Sequence, residues 1–131
     1  MHRRHTVFES PAAGVYVTRE SSDLLCVRLQ GSLPAAAGLP LEAALKAEFD
    51  KSQGLHAFWD LGKLTKYHSE VRICATRLLL AQRHKVLSLH AFTRSKLVAM
   101  GVAVANLALG GIVQVHPDKE SYKAALRERL G

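Results

Sequence analysis

An α/β domain with a mostly parallel sheet covered by helices is what the sequence predicts, and three observations carry the prediction. Short apolar runs bounded by glycine, proline, serine or aspartate recur along the chain, as buried strands do. Between them lie stretches with apolar residues at three- and four-residue spacing, as in helices. After an opening pair of strands the two kinds alternate, which selects parallel pairing through right-handed crossovers. The chain has 131 residues, one ordinary domain's worth, and 48% of them are apolar, enough for a core without staples. Residues 1–13 read as a basic N-terminal arm and residues 14–131 as the single domain.

The elements follow in order. Gly14–Arg19 alternates apolar and polar around Val15 and Val17, Ser21-Ser22-Asp23 is turn chemistry, and Leu24–Gln30 is a second strand, so the two form a hairpin. Gly31-Ser32-Leu33-Pro34 then leaves the sheet. Leu41, Leu45 and Phe49 keep helical spacing, with Pro40 in the first turn, where proline is accepted, and Gly54 beyond the end. Leu55–Leu61 is a short apolar run between breakers, read as a buried strand. Ser69 is placed as the N-cap of a helix to about Arg83, with Glu70 in the first turn favouring the helix dipole. Val86–Thr93 is the next strand. Ser95 caps a helix to Leu109 that Gly110-Gly111 closes. Ile112–Val115 is the last strand, and Asp118 caps a helix through Leu130 with Tyr122, Ala125, Leu126 and Leu130 as its inner stripe. The order is β-β-α-β-α-β-α-β-α. In such sheets functional loops gather at the carboxyl ends of the strands, here Asp60–Ser69, Thr93–Lys96 and His116–Asp118.

Composition narrows the function. The net charge is +7, which raises nucleic acid as a partner, but the basic residues are scattered and only 6% of the chain is aromatic. No nucleic-acid partner is expected. Leu97–Val115 is almost continuously apolar, yet the glycine pair divides it into pieces too short to cross a bilayer, so no membrane span is expected. Cys26 and Cys74 are far apart and form no CxxC, as free thiols in a reducing compartment do. No apolar signal core follows Met1-His2-Arg3-Arg4-His5, and a cytoplasmic protein is expected. His2 and His5 have metal-like spacing on the arm, while His56, His90 and His116 fall on or at the ends of strands. There is no HExxH, no Cys/His zinc spacing, no P-loop, no GxGxxG and no GxSxG. Asp60, His68 and Ser69 supply triad residue types, but an adjacent His and Ser at a helix start do not face each other by default. The expectation is a protein that is not an enzyme and uses no metal and no cofactor.

Two segments carry a family resemblance. Leu24–Leu33 ends in Gly31-Ser32-Leu33, and Trp59-Asp60-Leu61-Gly62 leaves the next strand. Together with the element order, these residues resemble the STAS domain, the family of bacterial anti-sigma-factor antagonists that is also found appended to sulfate transporters. The resemblance covers residues 14 to 130. It implies a non-catalytic regulatory domain that works by protein–protein contact, with a regulator of the kinase type as partner. In that family a serine at the start of a helix, within Asp-Ser-Ser/Thr-Gly, is phosphorylated. Here the stretch is His68-Ser69-Glu70-Val71, so Ser69 falls on the phosphorylation-like position while its neighbours have changed.

Two surfaces compete for the binding role. The loops after the third and fourth strands are expected to be neighbours and carry Lys66, His68, Ser69, Arg94, Ser95 and Lys96. With two helix N-termini opening there, they form a candidate site for a phosphate, a nucleotide or another small ligand. The other surface comes from the second and third helices. At about 100° per residue, Ile73 and Leu80 lie opposite the inward face of the second helix. The third helix has two apolar stripes, Leu97, Met100, Val104, Leu107 and Ala108 on one side and Val98, Val102, Ala105 and Leu109 on the other. A helix apolar on all sides is buried on all sides. Val98, Val102, Ala105 and Leu109, with Ile73 and Leu80, are therefore expected to form an interface with a protein partner or with a second copy in a homodimer.

Overall fold

The computed structural model describes residues 3–131. Six strands form one sheet in chain order: β1 (Arg3–Ser10), β2 (Ala13–Ser21), β3 (Leu24–Leu33), β4 (Leu55–Tyr67), β5 (Val86–Thr93) and β6 (Val113–His116). Helices α1 (Gly38–Asp50), α2 (Ser69–Ala81), α3 (Lys96–Ala108) and α4 (Lys119–Leu130) complete it. Strands β1 to β3 pair antiparallel, and β3 to β6 pair parallel. Three successive crossovers stepping in the same direction, each right-handed, put their helices on one face of the sheet. The main core accordingly joins α1, α2 and α3 to β2–β5 through Val15, Val27, Leu41, Phe49, Trp59, Val71 and Val98. A smaller cluster on the opposite face joins Leu24, Phe58 and Phe92 to Tyr122 of α4, with Ala125 and Leu126 packed against it. Leu130, the last residue of the expected α4 stripe, is instead exposed.

The N-terminal arm is corrected to a strand. Residues 3–10 pair with β2 across the two-residue connection Pro11-Ala12. The strand was hidden because its register shifts between Thr6 and Phe8, which brings both Val7 and Phe8 against the core and breaks the alternation a strand normally shows. Charged and polar residues on an edge strand also discourage pairing with other chains. Arg4 stacks 4.2 Å above the Tyr16 ring, and the Tyr16 hydroxyl donates to Glu9 at 2.9 Å. His2, one of the spaced histidine pair, lies outside the described residues.

Strand β4 runs six residues beyond the expected Leu61. Gly62 looks like a breaker but sits inside the strand, where its N–H donates to Asp60 Oδ1 at 3.0 Å. The pairing with β3 carries a register shift between Arg28 and Gln30, opposite this point, as glycines at bulges do. Leu64 beyond it is buried, and β3 extends alongside to pair Leu33 with Tyr67.

Helix α3 is turned the other way from the expectation. Val98 and Leu109 are 1% and 3% exposed and belong to the core. Val102 packs against it, and Ala105 is half-buried. These four are not an outer interface stripe. Leu97, Met100, Val104 and Leu107 face outward at 50–84% exposure. Both stripes are apolar, so periodicity defines two faces without a sign. Gly101 supplies the sign: a Cβ there would overlap the Tyr67 hydroxyl, so this side must be the one that approaches β4. Asn106, the polar residue of the helix interior, accepts the Val113 N–H at 2.9 Å and ties α3 to β6.

Candidate functional site

Helix α2 begins one residue earlier in its capping than expected. His68 is the N-cap, and its Nδ1 accepts the Glu70 N–H at 3.1 Å. Ser69 is therefore the first helical residue, exposed, and its hydroxyl makes no hydrogen bond among the described residues. Ser69, Ile73, Thr76 and Leu80 follow one another at spacings of four, three and four, a single line along the helix. Ile73 and Leu80 are 44% and 48% exposed. On the other flank of α2, Arg77 makes a bidentate pair with Glu42 of α1 at 2.9 and 2.6 Å. Glu42 is held below the ordinary carboxylate range by that guanidinium.

Ser95 caps α3 as expected, accepting the Val98 N–H at 3.3 Å, and its own N–H donates to Thr93 Oγ1 at 3.2 Å. Pairing between β4 and β5 ends at Leu61 and Thr93, while β4 continues with β3 to Tyr67. Among the described residues no hydrogen bond or ion pair joins Lys66, His68 and Ser69 to Arg94, Ser95 and Lys96. Lys66, Arg94 and Lys96 are exposed basic groups.

What the structure does bring together is an outward apolar surface on α3. Leu97, Met100, Val104 and Leu107 are interleaved with the small exposed residues Ala99, Ala103 and Ala108. Each large side chain is worth roughly 1.5–3 kcal/mol on full burial, so covering the four from their present exposure is worth on the order of 5 kcal/mol. Sequence reasoning missed Met100 and Leu107 as surface groups, because the side of α3 that faces inward is set by the contact of Gly101 with Tyr67, which the local sequence does not show.

A second cluster sits on the opposite face, beneath α4. His56 Nδ1 lies 2.7 Å from Ser88 Oγ, Ser88 Oγ 3.2 Å from His90 Nε2, and His90 Nδ1 2.9 Å from His116 Nε2. The His90 ring stacks on Phe58 at 4.1 Å between centroids, and Tyr122 stands edge-on to His116. These contacts give each strand histidine a ring-nitrogen partner, with His90 buried and His56 and His116 half-buried. Among the described residues no three His, Cys, Asp or Glu side chains come together to hold a metal ion. Burial first, then the charges of His116, Arg129 and His56, push His90 down to about 4, and burial and Arg129 lower His56 against the pull of Asp23. The unfolded chain, with His90 at its ordinary value of about 6.5, binds the proton more readily than the folded one. Stability is therefore full above pH 6.5 and falls as the pH drops toward 4. Urea midpoints across that range should show a loss of about 2–3 kcal/mol that His90→Asn flattens.

Both cysteines are free. Cys74 is buried and Cys26 half-buried, and burial, with Glu20 and Asp60 nearby, pushes the Cys26 thiol up to about 12. Among the described residues no helix is long and apolar enough to cross a membrane.

No family model and no curated protein matches the chain. Solved structures do. An uncharacterized protein of the DUF3478 family with a SpoIIAA-like fold, from Shewanella loihica PV-4, superposes with a TM-score of 0.65 at 18% identity, over 91% of this chain and 98% of that one. The anti-sigma factor antagonist SpoIIAA in its unphosphorylated form superposes with a TM-score of 0.60 at 16% identity, over 87% and 96%. The fold is thus SpoIIAA-like, and the resemblance to the STAS domain holds at the level of architecture.

Proposed function

We propose that this domain is a non-catalytic regulator that acts by docking a partner protein on the outward face of α3, flanked by the Ser69–Leu80 line of α2. The observation that carries the reading is the uncharged apolar face of Leu97, Met100, Val104 and Leu107, which lies outside the domain's own core. Patches of this kind mark interaction surfaces. The likeness in fold to an anti-sigma factor antagonist supports a regulatory role. The net charge of +7 favours an acidic partner. A second copy, the homodimer expected from the sequence, brings +7 against +7.

Ser69 is the control point in this reading. It is exposed, free of internal hydrogen bonds, and stands at a helix N-terminus, where a phosphate is electrostatically favoured. A kinase-type regulator is the matching partner, and the cytoplasm is the matching compartment. The rival reading, a phosphate or nucleotide site on the strand-end loops, has less behind it: Lys66, Arg94 and Lys96 are exposed basic groups, and among the described residues no hydrogen bond joins the Ser69 and Ser95 helix starts.

The test is photo-crosslinking in the cell of origin, with p-benzoylphenylalanine placed at Leu107 or, as control, at Lys123 of α4. One dominant protein adduct is expected from position 107, lost with Met100→Glu and absent from position 123. Adducts to the chain itself alone, to lipid alone, or the same adducts at both positions would sink the heterologous-partner reading.

A further inference from the structure

We infer that a trough on the sheet face opposite α1, α2 and α3 binds a small monocarboxylic acid with an apolar body, its carboxylate held by the Arg28 guanidinium and the Tyr122 hydroxyl. The strand register builds the trough. Arg4, Thr18, Cys26 and Phe58 lie side by side across β1 to β4, and Tyr16, Arg28 and Asp60 form the next row. Helix α4 packs on Phe58 through Tyr122. The small side chains of Thr18 and Cys26 therefore leave a space between Arg4 and Tyr16 on one side and Tyr122 and Leu126 on the other, with Arg28 and Asp60 also lining it. It measures about 370 Å³, inside the range of roughly 300–1,000 Å³ that small-molecule sites occupy.

Tyr122 is 4% exposed, and its hydroxyl makes no hydrogen bond among the described residues. A buried tyrosine hydroxyl usually finds a partner. This one is unpartnered without being sealed in: among the described residues Trp59 Nε1 is the one fully enclosed side-chain polar atom that lacks a partner. The Tyr122 hydroxyl therefore keeps an opening, onto the trough that Tyr122 lines. Burial first, then Cys26 and Asp60, hold its proton more tightly than usual against the pull of Arg28, so it serves as a donor. Arg28 is half-exposed and makes no hydrogen bond among the described residues beyond a 3.5 Å ion contact with Asp60. Asp60 spends its other oxygen on the Gly62 N–H. A carboxylate takes two such donors at once, and hydrogen bonds to a charged group are the stronger kind. Cys26 stays a neutral thiol and, with Leu126, offers an apolar wall. Glu20 and Asp60 balance Arg4 and Arg28 around the trough, which favours a single negative charge over a polyanion such as a nucleotide.

Phenylacetate, phenylacetamide and benzylamine, alike in shape but negative, neutral and positive, are the probes, titrated into the full chain and followed by nitrogen-15 correlation spectra. Phenylacetate is expected to move the backbone signals of Thr18 and Cys26 saturably and to bind about tenfold tighter than phenylacetamide, the value of a charge-assisted hydrogen bond over a neutral one. Arg28→Gln removes that advantage and leaves phenylacetamide binding unchanged. Tyr122→Phe keeps the ring that α4 packs with and weakens phenylacetate about fivefold, the value of one hydrogen bond. Cys26→Leu fills the trough and abolishes saturable binding; if that variant fails to fold, Thr18→Leu fills it from β2. No saturable shift at millimolar phenylacetate, shifts confined to α3, benzylamine binding as tightly as phenylacetate, or an acid preference that survives Arg28→Gln or is untouched by Tyr122→Phe each overturns the assignment.

Discussion

Val98→Glu is expected to unfold the domain, while Met100→Glu, two residues away, leaves its melting temperature nearly unchanged. Val98 is 1% exposed within the main core, whereas Met100 is 67% exposed. A carboxylate placed at position 98 meets no partner and must either stay ionised in a dry site or take up a proton there. Either route costs on the order of 5 kcal/mol, comparable to the whole stability of a small domain. Position 100 faces water, where exchanging methionine for glutamate changes stability by about 0.5 kcal/mol or less. Circular dichroism melts of the two variants decide which stripe of α3 is inside. The opposite ranking would restore Val98, Val102, Ala105 and Leu109 as the outer face. In the cell, Met100→Glu should still abolish the crosslink at position 107, which separates a lost partner from a lost fold.

Gly31→Ala should cost about 3 kcal/mol or more. Gly31 has φ +77, a conformation that side chains rarely adopt, and an added Cβ would overlap the Ala12 carbonyl oxygen. The two penalties are independent, since one is torsional and the other a contact with backbone that cannot rotate away. The site is also structural on both sides. Gly31 pairs with Ala13 of β2 and with Leu64 of β4, and its carbonyl accepts the Thr65 hydroxyl at 2.9 Å. Its displacement therefore disturbs the β1–β2 turn and the far end of β4 together. Gly110→Ala is the control: that glycine has φ +78 but open space around it, so it should lose about 1 kcal/mol. Chemical denaturation of both variants measures the difference.

Much of the fold was legible because several local signals agreed. Strand β5 occupies the residues its apolar run marked, and Ser95 and Asp118 cap the helices they were assigned, Asp118 by accepting the Ser121 N–H at 2.8 Å. Tyr122 is buried as the anchor of α4. What was illegible had a physical cause in each case. The bulge at Val7 hid β1 by placing consecutive apolar residues on the core side. Gly62 reads as a terminator in isolation and is a strand residue once β3 lies beside it. His68 took the capping role from Ser69 because an imidazole nitrogen accepts an N–H as a hydroxyl does. At the candidate site, Ile73 and Leu80 were legible as outward groups, since the polar residues around them set the sign of the helix face. On α3 no charge sets the sign, and only a contact with Tyr67, distant in sequence, does so.

The sheet's strand order has a consequence for how the chain is made. Because β1 to β6 lie side by side in the order in which they are synthesised, no strand waits for a later one to be inserted between it and its neighbour. Each new strand emerging from the ribosome finds its pairing edge already present, and each crossover helix closes over a surface that exists before it arrives. The growing domain therefore keeps β1 as one fixed edge and offers one new pairing edge at a time, that of the newest strand, which limits the transient mispairing to which parallel sheets are exposed during folding. In a pulse-chase with a conformational protease, protection should spread from β1 toward β6 as the nascent chain lengthens.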